Sequence, residues 1–220
     1  MNTIITGASK GIGRALVEKF ASEGHNLAIC ARNEENLKSL KKELETKYSG
    51  IQVLIKSTDI SKRKDVLAFA EAALKMFGSI DVLINNGGIF LSGSTCEENE
   101  GTLEKLIETN LYSAYHLTRA IVPFMTSSAK PHIFNMCSIA SQTAYPNGGS
   151  YSISKFALLG FTKVLRQELL DKGIRVTAVL PGATWSDSWA GVDLPQERLM
   201  DAADIADTIW AAYSLKKGAV

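Results

Sequence analysis

Cysteine is scarce in this chain: Cys30, Cys96 and Cys137 are three in 220 residues, far apart and without Cys-x-x-Cys or Cys/His ligand spacing. That excludes a disulfide framework and a zinc site and points to a reducing compartment. An excess of one charge sign is also missing. Lys and Arg number 24 against 23 Asp and Glu, a formal net charge of +1, and no long run of either sign occurs. Nucleic acid and anionic membranes are therefore poor candidates for the main partner. No segment approaches the roughly 18 apolar residues that cross a bilayer. The start, MNTIITGASK, has neither the basic nor the apolar region of a leader, so a cytoplasmic location is expected. His25, His116 and His132 have no metal spacing, and no serine sits in a G-x-S-x-G elbow. Metal catalysis and hydrolysis gain no support, and each histidine reads as a surface or a satisfied core residue.

What the chain has is a 45% hydrophobic content, enough for one sizeable core, arranged in strand-length runs. These runs are 3–6, 26–31, 51–56, 80–86, 131–136 and 174–180, rich in Ile and Val with little alternation, as in strands buried on both faces. Between them, segments of helical period cover 11–23, 33–47, 62–77, 99–127 and 149–172, and a last one runs from Asp201 to Leu215. Strand and helix alternate without a Pro/Gly/Ser-rich linker. The expectation is one α/β domain over 1–220, a doubly wound parallel sheet covered by helices on both sides. In such sheets ligands bind beyond the carboxyl ends of the strands.

The first run leads into TGASKGIG, Thr6 to Gly13, and then into an amphipathic segment. Glycines at 7, 11 and 13 allow a tight turn, close approach of the backbone to a pyrophosphate, and packing of the helix on the strand. Gly7, Ser9, Lys10, Gly11, Ile12 and Gly13 are thus candidate coenzyme residues. NAD sites of this kind close the second strand with an acid that holds the ribose hydroxyls. Here the strand ends CARNEEN, with Ala31 at that place and Arg32 after it. Arg32, with Lys10, suits the 2′-phosphate of NADP(H).

Near the last long helix, GGSYSISKFAL holds Tyr151 and Lys155 four residues apart. On a helix both face one side. A phenol of pKa about 10 can be lowered by about 1 to 3 units beside an ammonium reinforced by an oxidised nicotinamide, into the range where it exchanges protons near neutral pH. Burial alone works the other way.

These motifs together resemble the short-chain dehydrogenase/reductase superfamily, in its compact single-domain branch, over nearly the whole chain. The resemblance rests on TGASKGIG, Asp59, NNGG at 85–88, Asn110, Ser138, YSISK at 151–155 and PGAT at 181–184, in order and spacing. It implies a Rossmann-like sheet of strand order 3-2-1-4-5-6, often with a seventh strand, for which the 220 residues given hold no run. It further implies that Asp59 and Ile60 meet the adenine, that Asn86 and Gly87 line its ribose, and that Pro181, Gly182 and Thr184 hold the nicotinamide end. Gly87 stands where such turns more often carry alanine. By the same resemblance Ser138 orients the reacting carbonyl, Tyr151 donates the proton, and Lys155 also binds the nicotinamide ribose. Asn110, in mid-helix, kinks that helix and anchors a water linked to the lysine.

The activity so implied is an NADP(H)-dependent interconversion of a ketone and a secondary alcohol by hydride transfer. A 3-oxoacyl-thioester reductase and a pterin or other small-ketone reductase stay open as variants, and an NADP(H)-sensing regulator without turnover as the rival. Residues 185–200 correspond to a substrate lid. Its Trp185 and Trp189 either cover a small hydrophobic or aromatic ketone or fold inward onto the sheet. Helices 109–127 and 149–172 match those that pair in family dimers and tetramers, so a homodimer or homotetramer is expected.

Overall fold

Ile4 and Ile5 are adjacent in sequence and both fully buried, because the sheet they belong to is covered on each face. Side chains alternate across a strand, so neighbours enter different cores. Ile5 packs with Leu16, Phe20, Leu37, Leu44, Ile205 and Tyr213. Ile4 packs with Val66, Phe69, Leu117, Ile121, Leu165 and Val176. This two-sided burial is why the strands read as continuous apolar runs.

The computed structural model describes residues 1–125, 128–184 and 199–216. Its strands are β1 (Asn2–Thr6), β2 (Asn26–Ala31), β3 (Val53–Ser57), β4 (Val82–Asn85), β5 (His132–Met136) and β6 (Arg175–Val179). All pair in parallel, in the order β3-β2-β1-β4-β5-β6. Helices α1 (Gly11–Ser22), α2 (Glu34–Lys47) and α7 (Ala202–Ser214) cover one face. Helices α3 (Arg63–Phe77), α5 (Ser113–Ile121) and α6 (Gly149–Leu169) cover the other. The doubly wound Rossmann-like architecture is therefore the one expected, and β3 and β6 are its edges among the described residues. Register aligns the carboxyl ends, with Thr6 opposite Cys30 and Ala31 opposite Ser57. Asn85 stands opposite Asn135, and Met136 opposite Val179. The residues that follow these positions share one edge of the sheet.

The helix expected over 99–127 is instead four pieces. A short α4 (Thr102–Ile107) passes through a π-helical turn, Glu108–Tyr112, into α5, and a 3₁₀ turn, Val122–Phe124, follows. Pro123 has no N–H to continue the ladder, which stops α5 at Ile121. Residues 126 and 127 lie outside the described part.

At the opposite pole of the sheet, His25 and His132 are completely buried. His25 Nδ1 lies 2.7 Å from Thr3 Oγ1 and His132 Nε2 lies 2.8 Å from Thr177 Oγ1. Their other nitrogens, His25 Nε2 and His132 Nδ1, find no partner among the described residues. The expectation of satisfied core histidines is thus half met. Helix α7 begins where its Asp201 cap accepts from the Ala203 amide at 2.9 Å. It ends where Arg175 donates to the carbonyls of Ala212, Tyr213 and Leu215. Among the described residues no helix is long and apolar enough to cross a membrane, and no His/Cys/Asp/Glu group could hold a metal ion.

Candidate active site

The chain leaving β1 turns at Gly7, whose φ of +67° is open to glycine. A Cβ there would meet Gly87 Cα at 2.8 Å. One at Gly13 would press on the Gly7 carbonyl and stand 2.6 Å from Asn86 Nδ2. The loop is held by the NNGG turn. Asn86 Nδ2 donates to the carbonyls of Thr6 (2.9 Å) and Gly7 (3.2 Å), while Thr6 Oγ1 accepts the amides of Asn86 (3.1 Å) and Gly87 (2.9 Å). Thr6 is absent from the residues singled out in the sequence; its signal was its place as the last residue of β1, directly before the first glycine. Gly87 has its alanine-sized space filled by Ile60, whose Cδ1 would lie 2.5 Å from a Cβ at 87. The turn is therefore closely packed.

Below this loop runs a cleft of about 820 Å³. It is lined by Gly7, Ser9, Lys10, Gly11, Ile12 and Gly13, by Arg32, Asp59, Ile60, Asn86 and Gly87, and by Thr184. Arg32 is exposed beside Ala31, and no carboxylate ends β2. Asn33 and Asn36 of the α2 start line the same wall. On the facing wall Asp59 Oδ1 accepts from the hydroxyl (2.7 Å) and amide (3.1 Å) of Ser61. Those bonds, hydroxyl first, hold its carboxyl below the ordinary value. Pro181 and Gly182 do not line this cleft. Pro181 instead meets the residue after Ser138, its carbonyl accepting the Ile139 amide at 3.1 Å, while the Gly182 carbonyl accepts the Thr184 hydroxyl at 3.1 Å. The lid positions Trp185 and Trp189 lie outside the described residues.

Four polar side chains converge past the cleft's end. Ser138 follows β5 in extended backbone; its Oγ accepts the Ala140 amide at 3.1 Å, and its own amide donates to Ser141 Oγ at 3.1 Å. The Ser138 hydroxyl stands near enough to the Tyr151 phenol to lower its pKa. Phe90, which lines the cleft, stands edge-on to the Tyr151 ring at 4.8 Å between centroids. Lys155 Nζ lies 5.8 Å from the same ring's centroid and donates to the Met136 carbonyl at 2.8 Å. A Cβ at Gly88 would sit 3.1 Å from Asn110 Oδ1 and 3.7 Å from Lys155 Nζ, so both approach the NNGG turn.

One expectation is corrected here. Burial, the largest influence, pushes the Tyr151 phenol above its ordinary value, with the Ser138 hydroxyl pulling it down by less. Lys155 gives no offset, because its ammonium is turned to Met136 and is itself lowered to about 8 by burial. Asn110 sits where the helix changes pitch, in the π-helical turn Glu108–Tyr112. Oδ1 accepts the Ile89 amide (2.8 Å), and Nδ2 donates to the Ile89 carbonyl (3.0 Å) and Ser154 Oγ (3.0 Å). Asn110 thus braces the strand-end loop against α6. Glu98, Phe90 and Tyr145 are further residues near Tyr151 that were not drawn from the sequence.

The comparisons with known proteins bear on this arrangement. The family model of the short chain dehydrogenases matches residues 1–196. A Staphylococcus epidermidis diacetyl reductase, (S)-acetoin forming, is 34% identical over 212 residues, 96% of this chain and 82% of that protein. An alcohol dehydrogenase from Thermococcus sibiricus, solved with 5-hydroxy-NADP, superposes with a TM-score of 0.90 at 27% identity over 98% of this chain and 91% of its own. L-sorbose reductase from Gluconobacter frateurii, solved with NADPH and L-sorbose, gives 0.87 at 26% identity over 94% and 87%. Matched by that family model over most of its length and 34% identical to the diacetyl reductase, the chain belongs to the short chain dehydrogenase family and is an oxidoreductase of carbonyl and alcohol groups.

Proposed function

We propose that the protein is an NADP(H)-dependent reductase of a neutral carbonyl, also able to run toward the alcohol, with Tyr151 as the proton donor. The observation that carries this is the meeting of Ser138, Tyr151 and Lys155 at the end of a glycine-walled cleft. The cleft fits a dinucleotide. Its 820 Å³ falls within the roughly 300–1,000 Å³ of ligand sites. The crowded glycines leave main-chain N–H groups of the α1 start open to a diphosphate. Exposed Arg32 beside Ala31 favours the 2′-phosphate over two free hydroxyls. Two similar proteins solved with NADP-type coenzymes support the same choice.

When bound, the nicotinamide supplies or accepts the hydride. The chain's own residues handle the oxygen and its proton. Tyr151 Oη, kept protonated by burial, gives its proton to the carbonyl oxygen. Ser138 Oγ accepts one amide and keeps its hydrogen for that oxygen, polarising it as charge develops. Lys155 Nζ spends one N–H on Met136 and retains others for a ribose hydroxyl. Among the described residues, Phe90 stands against the Tyr151 ring, and Ile139, next to Ser138, and Tyr145 are exposed apolar or aromatic side chains. An uncharged, largely apolar ketone suits such walls better than a carboxylate or phosphate.

The outer face of α6 exposes Ile153, Phe156 and Val164 at helical spacing. We infer that it pairs with a second copy, giving a homodimer or homotetramer; light scattering that finds a monomer at micromolar concentration contradicts this. Activity is tested with a panel of neutral and anionic carbonyls, followed by NADPH absorbance. Tyr151→Phe should abolish turnover while NADPH still binds. Retained turnover in that variant overturns the role of Tyr151.

A further inference from the structure

Helix α6 carries both Tyr151 and Lys155, yet its N-cap is Gly148, which has no side chain to bond the free amides of the first turn. The missing acceptor comes from far away in sequence. Glu98 Oε1 accepts the Ser150 amide at 3.0 Å, and Oε2 accepts the Ser150 hydroxyl. Ser150 is buried and immediately precedes Tyr151. A carboxylate at this end also complements the helix dipole.

The surrounding backbone is fitted to this one side chain. The Gly93 amide donates to the Asn147 carbonyl at 3.0 Å, Ser92 Oγ donates to the same carbonyl at 3.2 Å, and Gly93 forms an isolated parallel bridge to Gly148. A Cβ at Gly93 would lie 2.7 Å from Glu98 Cγ. A Cβ at Gly149 would strike Glu98 Oε1 and the Gly93 carbonyl. Asn147, with φ +60°, is the non-glycine residue that takes the left-handed turn into the helix. Two glycines and a strained asparagine thus make room for Glu98 between the loop after β4 and the first turn of α6. That same loop begins with the cleft-lining Gly87–Leu91 and carries Phe90 against the Tyr151 ring.

We propose that Glu98 is a positioning residue for Tyr151: it clamps the first turn of α6 to the loop after β4 and so sets where the phenol stands against the cleft. This rests on Tyr151 being the proton donor. Glu98 touches neither the coenzyme cleft nor the phenol, so its loss should act on the chemical step more than on coenzyme affinity. Misplacing a reacting group by a small distance costs rate steeply.

The test compares Glu98→Ala, Glu98→Gln and Ser150→Ala with the parent protein. It uses steady-state kinetics on a carbonyl the parent reduces, NADPH affinity by fluorescence, and hydrogen exchange of the peptide over 148–155. Glu98→Ala should lower kcat about ten-fold or more, with NADPH affinity kept within about two-fold. Glu98→Gln keeps an acceptor for the Ser150 amide and should recover to within roughly three-fold of the parent; Ser150→Ala, which keeps the amide bond, should lose a similar small factor. Exchange at the start of α6 should quicken in Glu98→Ala while its later turns stay protected. The proposal is overturned by Glu98→Ala turnover within about two-fold of the parent, or by kcat and NADPH affinity falling together. If Glu98→Ala does not fold, the double variant Glu98→Gln with Ser150→Ala, which weakens both bonds of the clamp, takes its place: it should lower kcat further than either single change, and parental exchange protection and rate in it overturn the proposal equally. A parent without turnover on any carbonyl defeats the reading of Tyr151, whereas unchanged exchange in Glu98→Ala defeats the clamp on its own.

Discussion

Lys155 Nζ donates a 2.8 Å hydrogen bond to the main-chain carbonyl of Met136, the last residue of β5. The bond fixes α6 to the sheet one helical turn beyond Tyr151, and it holds the ammonium where, among the described residues, no carboxylate compensates its burial. That is why its pKa drops to about 8. The cation needed at the site is therefore the first thing lost on raising the pH.

The pH dependence of reduction follows from this. Tyr151 is held protonated above its ordinary value, so it stays a donor across the neutral range. Lys155 is charged below about 8 and neutral above. The kcat/KM for carbonyl reduction should be level below that point and fall toward ten-fold per pH unit above it. Lys155→Arg, slower but permanently charged, should move the falling limb past about pH 10. A parental profile flat to that pH would contradict the assignment.

Coenzyme preference is a test of Arg32. The guanidinium is exposed on the cleft wall beside Ala31. A hydrogen bond from a charged donor is worth about 1.5–3 kcal/mol, or roughly ten- to a hundred-fold in affinity. Arg32→Asp should therefore weaken NADPH by that factor and improve NADH, as read from the two dissociation constants. Equal affinity of the parent for both coenzymes would sink the choice.

Gly13 and Gly160 make a matched pair for the glycine loop. Gly13→Ala drives a methyl into the Gly7 carbonyl, and backbone overlap of this kind costs about 1–3 kcal/mol or more. The denaturation midpoint should fall and NADPH affinity with it. Gly160, inside α6, has nothing within 4 Å of a Cβ, so Gly160→Ala should stabilise by about 0.5–1 kcal/mol. Denaturant titration showing the same sign at both positions would contradict the packing described.

What the sequence made legible was whatever is encoded locally. β2 spans Asn26–Ala31 as its apolar run does, because two-sided burial fills a short strand with apolar residues. The glycine loop and the tyrosine helix were legible because each lies at a strand's carboxyl end. The pieces that escaped depend on partners distant in the chain. The break at Glu108–Tyr112 accompanies the bonds of Asn110 to Ile89, 21 residues away. Glu98 meets Ser150 across 52 residues. The direction of the Tyr151 shift was misjudged for a similar reason: charge spacing can be counted along a helix, whereas burial and the alternative acceptor at Met136 cannot.

The two buried histidines make acid stability the final test. Burial, the leading influence on each, lowers His25 from 6.5 to about 4 and His132 from 6.5 to about 3. The unfolded chain therefore takes up a proton at each site as the pH drops below 6.5, while the folded chain resists until about 4 and about 3. In that window the unfolded state binds more protons, so unfolding free energy rises with pH. The stability is fully present above 6.5 and is lost as pH falls through the folded values. Between about pH 7 and 5 the loss should be roughly 2 kcal/mol per histidine, before most carboxylates titrate. Each neutral ring leaves one nitrogen without a partner among the described residues, so protonation adds a buried cation whose desolvation outweighs, at His25, the weaker pull of Asp81 and Glu23. His25→Gln with His132→Gln should flatten urea midpoints over that range while lowering them at neutral pH. A double variant whose midpoint falls as steeply as the parent's would place the acid sensitivity elsewhere in the fold.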